Sequence, residues 1–240
     1  YHLCGLSFNA DNLINNLIED KSQMNIINKD FKLKIEIDKL VLDSKNSLNN
    51  FKGKLSFNNQ KLINGNLIGN FSNNKKFKFT VKSDGNQKIT TLFFDKAEPV
   101  IRRYKFIKGF DGGILDFYSK KNDEKSISTL KIYDFKLSEL PVLTKLLTLA
   151  SLQGIADLLS GEGIRFNEFE MNFKNNKNLM TIDEIYAIGP AISILMNGYI
   201  EKDKLVSLRG TLVPATTLNK LIGSIPLFGD ILVGKKVGEG

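Results

Sequence analysis

The segment Lys76-Phe77-Lys78-Phe79-Thr80-Val81-Lys82 alternates apolar and polar residues without a break. Successive side chains of a β-strand point to opposite faces, so this spacing predicts a strand with one apolar face and one polar face. The same alternation is clear at residues 31–38 and 51–57. Weaker versions follow at residues 113–118, 128–137, 164–173, 179–188, 191–200 and 205–213. Amphipathic strands therefore dominate the chain.

The links between these strands are short and rich in Asn, Gly, Asp and Lys, which are hairpin turn residues. Strands joined one after another in this way predict an antiparallel meander and not a parallel βαβ sheet. Clear examples are residues 58–60, 72–74, 83–86 and 174–177.

The apolar positions change parity inside two of the predicted strands. They are odd-numbered up to Ile37 and even-numbered at Leu40, and they are even-numbered up to Phe166 and odd-numbered from Phe169. A shift of one residue is typical of a bulge, at which a long strand bends. The expected fold is therefore mainly β, with long bent strands and a few helices.

Four helical segments are predicted between the strands. The strongest covers residues 139–159, with Ser138 as the N-cap and Gly161 after its end. It is apolar around most of its circumference, so we expect it to be packed on the sheet. Lys145 and Asp157 interrupt the apolar run, which argues against a membrane span. The other three cover residues 11–19, 97–104 and 216–222.

The formal net charge of the 240-residue chain is +8. A basic chain can bind nucleic acid or an anionic membrane surface. Here the lysines alternate with apolar residues along the strands, which is typical of a solvated polar face. Base stacking needs aromatic and basic groups on the same surface, so nucleic acid is not an expected partner.

Few residues of the chain are suited to catalysis. His2 is the only histidine and Cys4 the only cysteine, so no internal disulfide can form. No cluster has the spacing of metal ligands. Residues 229–236 resemble a phosphate-binding loop, but Lys236 occupies the position that requires Ser or Thr. The sequence thus predicts no enzyme, no metal, no nucleotide and no other cofactor.

The second half of the chain resembles the C-terminal region of AsmA-like proteins, particularly the YhdP type. The resemblance covers roughly residues 100–240. It rests on an ordered set of motifs at residues 112–117, 132–137, 141–143, 163–169, 188–190, 196–200, 210–214 and 225–229, together with the leucine-rich segment at 139–159.

This resemblance implies a long curved antiparallel sheet that forms a hydrophobic groove, in two segments: a β-meander at residues 1–110 and the AsmA-like C-terminal region at 111–240. It also implies a periplasmic protein, anchored to the inner membrane by a segment outside this chain, that moves phospholipid between the inner and outer membranes. Other envelope proteins are further expected partners. No catalytic motif is implied.

Phospholipid acyl chains need a continuous apolar lining, which strands with one apolar face can provide. The residues expected to line the groove each lie on the apolar parity of their strand. They are Phe77, Phe79, Val81, Leu115, Phe117, Ile192 and Ile194.

Two alternatives remain open from the sequence. The apolar faces could instead form the closed core of a sandwich or barrel. The chain could also be a structural or assembly module that assists outer-membrane protein biogenesis through protein contacts, for which it would need an open sheet edge.

Overall fold

Twelve strands form one sheet in which the order of the strands follows the order of the chain. The structure, a computed structural model, describes residues 1–18, 30–59, 61–104, 108–122, 125–139, 163–202 and 204–214. The strands are β1 His2–Asn9, β2 Phe31–Val41, β3 Ser47–Asn58, β4 Lys61–Asn70, β5 Lys76–Asp84, β6 Gln87–Phe94, β7 Lys108–Asn122, β8 Lys125–Glu139, β9 Ile164–Asn176, β10 Leu179–Ile188, β11 Ile192–Glu201 and β12 Leu205–Pro214.

The predicted antiparallel meander is confirmed from β2 to β12, where every neighbouring pair is antiparallel. The exception is β1, which runs parallel to β2 with Leu3 opposite Ile35. Parallel neighbours need a long connection, and helix α1, Asp11–Ile18, lies within it. Among the described residues β1 and β12 each have one neighbouring strand, so the sheet is not closed.

Both predicted parity shifts are confirmed. Ile37 and Leu40 are both buried, although an uninterrupted strand would place them on opposite faces. Across from this point, Asn50 of β3 has a left-handed backbone with φ 51°. The second shift lies between Phe166 and Phe169 of β9, and there Asp134 of the neighbouring strand β8 has φ 52°. Asn and Asp tolerate this conformation better than other residues with a side chain.

The predicted helix at residues 139–159 does not begin where we expected. Ser138 and Glu139 are the last residues of strand β8, and Glu139 is paired with Lys108 of β7. The Ser138 hydroxyl donates a hydrogen bond to the Gly109 carbonyl at 3.1 Å, so it does not cap a helix. No long apolar helix is present in the described residues. The rest of the predicted helix and the one at 216–222 lie outside them.

The other two predicted helices are present. Helix α1 is described over Asp11–Ile18, with the last predicted residue outside the described ranges, and helix α2 is shorter than predicted, Glu98–Ile101, with Pro99 in its first turn. A short 3₁₀ turn, Ser72–Asn74, connects β4 to β5. Within the described ranges no helix has the length and hydropathy that crossing a membrane requires.

The apolar residues of the sheet form one large cluster that extends from β2 to β12 and a second, smaller cluster around Phe173, Ile182 and Ile185. The sheet also continues through the predicted segment boundary at residue 110, which lies inside β7. The opposite face carries polar groups that pair across strands. The Lys131 ammonium contacts the Glu170 carboxylate at 2.6 Å, and Tyr186 donates a hydrogen bond to it at 2.8 Å. The Lys131 contact is the main reason why the pKa of Glu170 is lowered.

Candidate functional site

An uninterrupted row of apolar side chains crosses eight neighbouring strands, from β4 to β11. Each member is the register partner of the next, so all of them lie on the same face of the sheet. At about 4.8 Å between strands, the seven steps extend over roughly 34 Å along the sheet. We call this the central row: Leu67, Phe79, Leu92, Phe117, Leu130, Met171, Ile185 and Met196.

All seven residues predicted to line the groove lie on the apolar side of the sheet, but their accessibility differs. Val81, Leu115 and Ile192 are between 0 and 2% exposed, and Phe77 is also buried. Phe79, Phe117 and Ile194 are half-buried and pack against the large cluster. The first four therefore serve the core of the protein, whereas the last three keep surface that a ligand can contact.

The sequence analysis missed several members of the central row. Leu92 lies in β6, where Ile89 and Phe93 occupy the other face, so this strand shows no clean alternation. Leu130 and Met171 lie in strands that were predicted, but their neighbours across the sheet were unknown. The register of β6 to β9 identifies them, because it places Leu92 opposite Phe117 and Leu130 opposite Met171.

Helices α1 and α2 cover the apolar face at the end of the sheet where β2 and β6 finish. Ile101 of α2 is buried, and Ile14 of α1 packs against the same cluster. Beside them three aromatic rings, Phe110, Phe135 and Phe166, are stacked with centroid separations of 5.4 Å. This end of the face is therefore filled by protein side chains.

Arg103 holds the two helices and the sheet together at this end. Its side chain is 8% exposed. Its guanidinium donates hydrogen bonds to the Asp11 carboxylate at 2.7 Å, the Asn15 side-chain oxygen at 2.5 Å, the Pro99 carbonyl at 2.8 Å and the Leu42 carbonyl. The planar guanidinium presents five N–H donors, which suits it to several acceptors at once.

The neighbouring Arg102 makes contact with a different strand. Its Nε donates a hydrogen bond to the Phe110 carbonyl of β7 at 2.7 Å. Arg102 thus contacts β7, and the next residue, Arg103, contacts the end of β2 at Leu42. Four strands lie between β2 and β7, and on a flat sheet these two would be roughly 24 Å apart.

The residues weighed for catalysis are engaged in other contacts or exposed. His2 Nε2 lies 2.7 Å from the Glu36 carboxylate, and Cys4 is exposed on the edge strand β1. In the described part of the chain no group of three or more His, Cys, Asp or Glu residues could hold a metal ion. The phosphate-loop-like segment at 229–236 lies outside the described residues.

A shallow concavity of about 630 Å³ lies between β10, β11 and β12, around Gly198. Two charged side chains line it, and both have partners. Arg209 donates a hydrogen bond to Asn197 at 3.0 Å, and Asp183 pairs with Lys174 at 2.8 Å. Both charged groups that line the concavity are therefore already paired with protein groups.

Comparison of the chain with models of protein families, with characterised proteins and with solved structures found no match in any of the three.

Proposed function

We propose that this chain is a non-enzymatic, lipid-binding segment of an AsmA-like, YhdP-type protein that moves phospholipid between the inner and outer membranes. In this proposal the protein spans the periplasm and is anchored to the inner membrane by a segment outside this chain. The observation that carries the proposal is the central row, which is apolar on eight successive strands and includes the half-buried Phe79 and Phe117.

An acyl chain has no polar group to be recognised, so it needs a long apolar surface and little else. Each methylene moved from water to such a surface contributes about 0.8 kcal/mol. The central row offers that surface without a polar interruption over eight strands. A contiguous apolar surface is a common feature of ligand-binding grooves, which supports a ligand as the partner of the central row.

The contacts of Arg102 and Arg103 support a curved sheet, and with it the groove. These two residues reach from β7 to the end of β2, which a flat sheet would hold too far apart. The left-handed residues Asn50 and Asp134 lie where the long strands change parity, as expected at bends. Curvature toward the apolar side would make the central row the floor of a groove.

The alternative is a structural or assembly module that assists outer-membrane proteins through protein contacts. One observation favours it. Strand β1 pairs on one side in the described residues, and its Leu6 is 81% exposed. An extended peptide could add to such an edge as a further strand.

Mass spectrometry of lipid extracted from gently purified protein tests the proposal. We expect phospholipid in amounts comparable to those of the protein. A matched sample should be stripped with detergent and then incubated with phospholipid vesicles, and we expect it to reload. Protein that carries no phospholipid after purification and takes none from vesicles, yet binds outer-membrane protein segments, would favour the assembly module.

A further inference from the structure

Two lysines lie together at the end of the apolar face opposite the two helices. Lys88 of β6 and Lys121 of β7 are register partners, so their side chains leave the sheet side by side. The charge of Lys61, at the start of β4, also acts on Lys88, but Lys61 is the register partner of Asn58 and leaves the other face of the sheet. Lys88 is half-buried and its ammonium lies 3.5 Å from the Leu62 carbonyl.

The polarity of the side chains on the apolar face changes in three steps along β6 and β7. The first step is the central row, with Leu92 opposite Phe117. Two residues further along each strand lie hydroxyl groups, with Thr90 opposite Ser119. Two residues beyond them lie Lys88 and Lys121. With a rise of about 3.3 Å per residue, each step covers roughly 7 Å.

The neighbouring strand β8 continues the hydroxyl step. Ser128 is paired with Ser119, and its hydroxyl donates a hydrogen bond to the Ser119 hydroxyl at 2.9 Å. The same face of β8 carries Leu130 in the central row. Ser128 itself is 3% exposed, so the accessible surface is that of β6 and β7. Along these two strands it passes from apolar through uncharged polar to cationic, which is the order of polarity along a phospholipid from its acyl chains to an anionic headgroup.

The lysine cluster is unfavourable for the protein alone. Partial burial lowers the pKa of Lys88, and the charges of Lys121 and Lys61 lower it further. Like charges directly opposite each other on a sheet are destabilising. Within the described ranges no carboxylate forms an ion pair with these lysines, in contrast to Lys131 on the other face, which pairs with Glu170. An anion bound between Lys88 and Lys121 would relieve this repulsion.

We infer that Lys88 and Lys121 bind the phosphate-bearing anionic headgroup of a phospholipid whose acyl chains lie on the central row. This inference rests on the proposed function and adds an orientation to it. The headgroup lies at the end of the sheet where the β5–β6 and β7–β8 hairpins turn. The acyl chains point toward the end that α1 and α2 cover.

The test compares a double variant, Lys88→Gln with Lys121→Gln, with a matched control. The control is Lys78→Gln with Lys120→Gln, which removes two lysines of the opposite face from β5 and β7. Each stripped protein is incubated with vesicles of equal parts phosphatidylglycerol and phosphatidylethanolamine. The total bound lipid and the ratio of the two lipids are then measured by mass spectrometry.

We expect wild type and control to prefer phosphatidylglycerol. In the double variant the ratio of bound phosphatidylglycerol to phosphatidylethanolamine should be roughly tenfold lower, while lipid is still bound. If the double variant keeps the preference, the headgroup inference is wrong and the proposed function stands. If wild type binds no lipid, both fail. Inorganic phosphate serves as a separate probe: if it binds wild type and not the double variant, and no lipid preference exists, the lysines bind a soluble anion instead.

Discussion

Replacing Phe79 by aspartate should give a protein that still unfolds cooperatively but binds at least about tenfold less phospholipid. Phe79 is the second residue of the central row, between Leu67 and Leu92, and its side chain is half-buried. A carboxylate there can reach water when lipid is absent, so we expect a loss of stability of about 1–3 kcal/mol. With lipid present, the charge would have to be buried against acyl chains.

The matched variant is Leu115→Asp, one row closer to the covered end. Leu115 is 2% exposed, so its carboxylate would be buried without a partner, and this protein should unfold or become insoluble. Urea unfolding followed by circular dichroism, together with lipid extraction, separates the two. If Phe79→Asp also fails to fold, the face is a closed core at this position and lipid conduction through it is doubtful.

Arg103→Met should lower the free energy of unfolding by on the order of 3 kcal/mol. This is the largest loss that we expect from removing the contacts of one side chain with the sheet. Methionine retains the packing of an unbranched side chain but leaves the Asp11 carboxylate and the Leu42 and Pro99 carbonyls without their donor. Because these acceptors belong to α1, the end of β2 and α2, the covered end of the sheet should loosen as a unit.

Two further variants make this prediction specific. Arg103→Lys keeps the charge but not the planar set of donors, so it should recover only part of the loss. Arg102→Met serves as the control: Arg102 is 43% exposed, and the change removes one hydrogen bond, to the Phe110 carbonyl, and two ion pairs with N–O distances of 3.6 Å. Hydrogen exchange should rise in α1 and α2 for Arg103→Met. If Arg103→Met and Arg102→Met lower the free energy of unfolding by the same small amount, Arg103 does not hold this end of the sheet together.

The strands were predictable because one face of each is apolar and the period is two. The clearest cases, residues 31–37 and 76–82, have apolar residues at one parity and charged or polar residues at the other. The bends were predictable for the same reason, since a change of parity at Ile37 or Phe166 has few causes other than a bulge. Strand β6 was missed because apolar residues occupy both of its faces.

The candidate site was predictable only in part. Parity places Phe79 and Leu115 on the same face, but it does not distinguish the half-buried residue from the buried one. That difference depends on which strands and helices are neighbours, and local sequence does not contain it. Arg103 gave no signal either, because its partners at Asp11 and Leu42 are distant in the chain. The lysine pair at Lys88 and Lys121 likewise depends on the register of β6 and β7.

The most direct test of lipid binding on this face is photo-crosslinking from two adjacent positions of β7. Phe117 lies in the central row, and Tyr118 points to the opposite face, where it is 43% exposed. Each is replaced in turn by the photoreactive benzoylphenylalanine, the protein is irradiated with phospholipid vesicles, and adducts are measured by mass spectrometry. We expect phospholipid adducts from position 117 and few from position 118. Equal labelling from both positions, or labelling from 118 alone, would contradict the account.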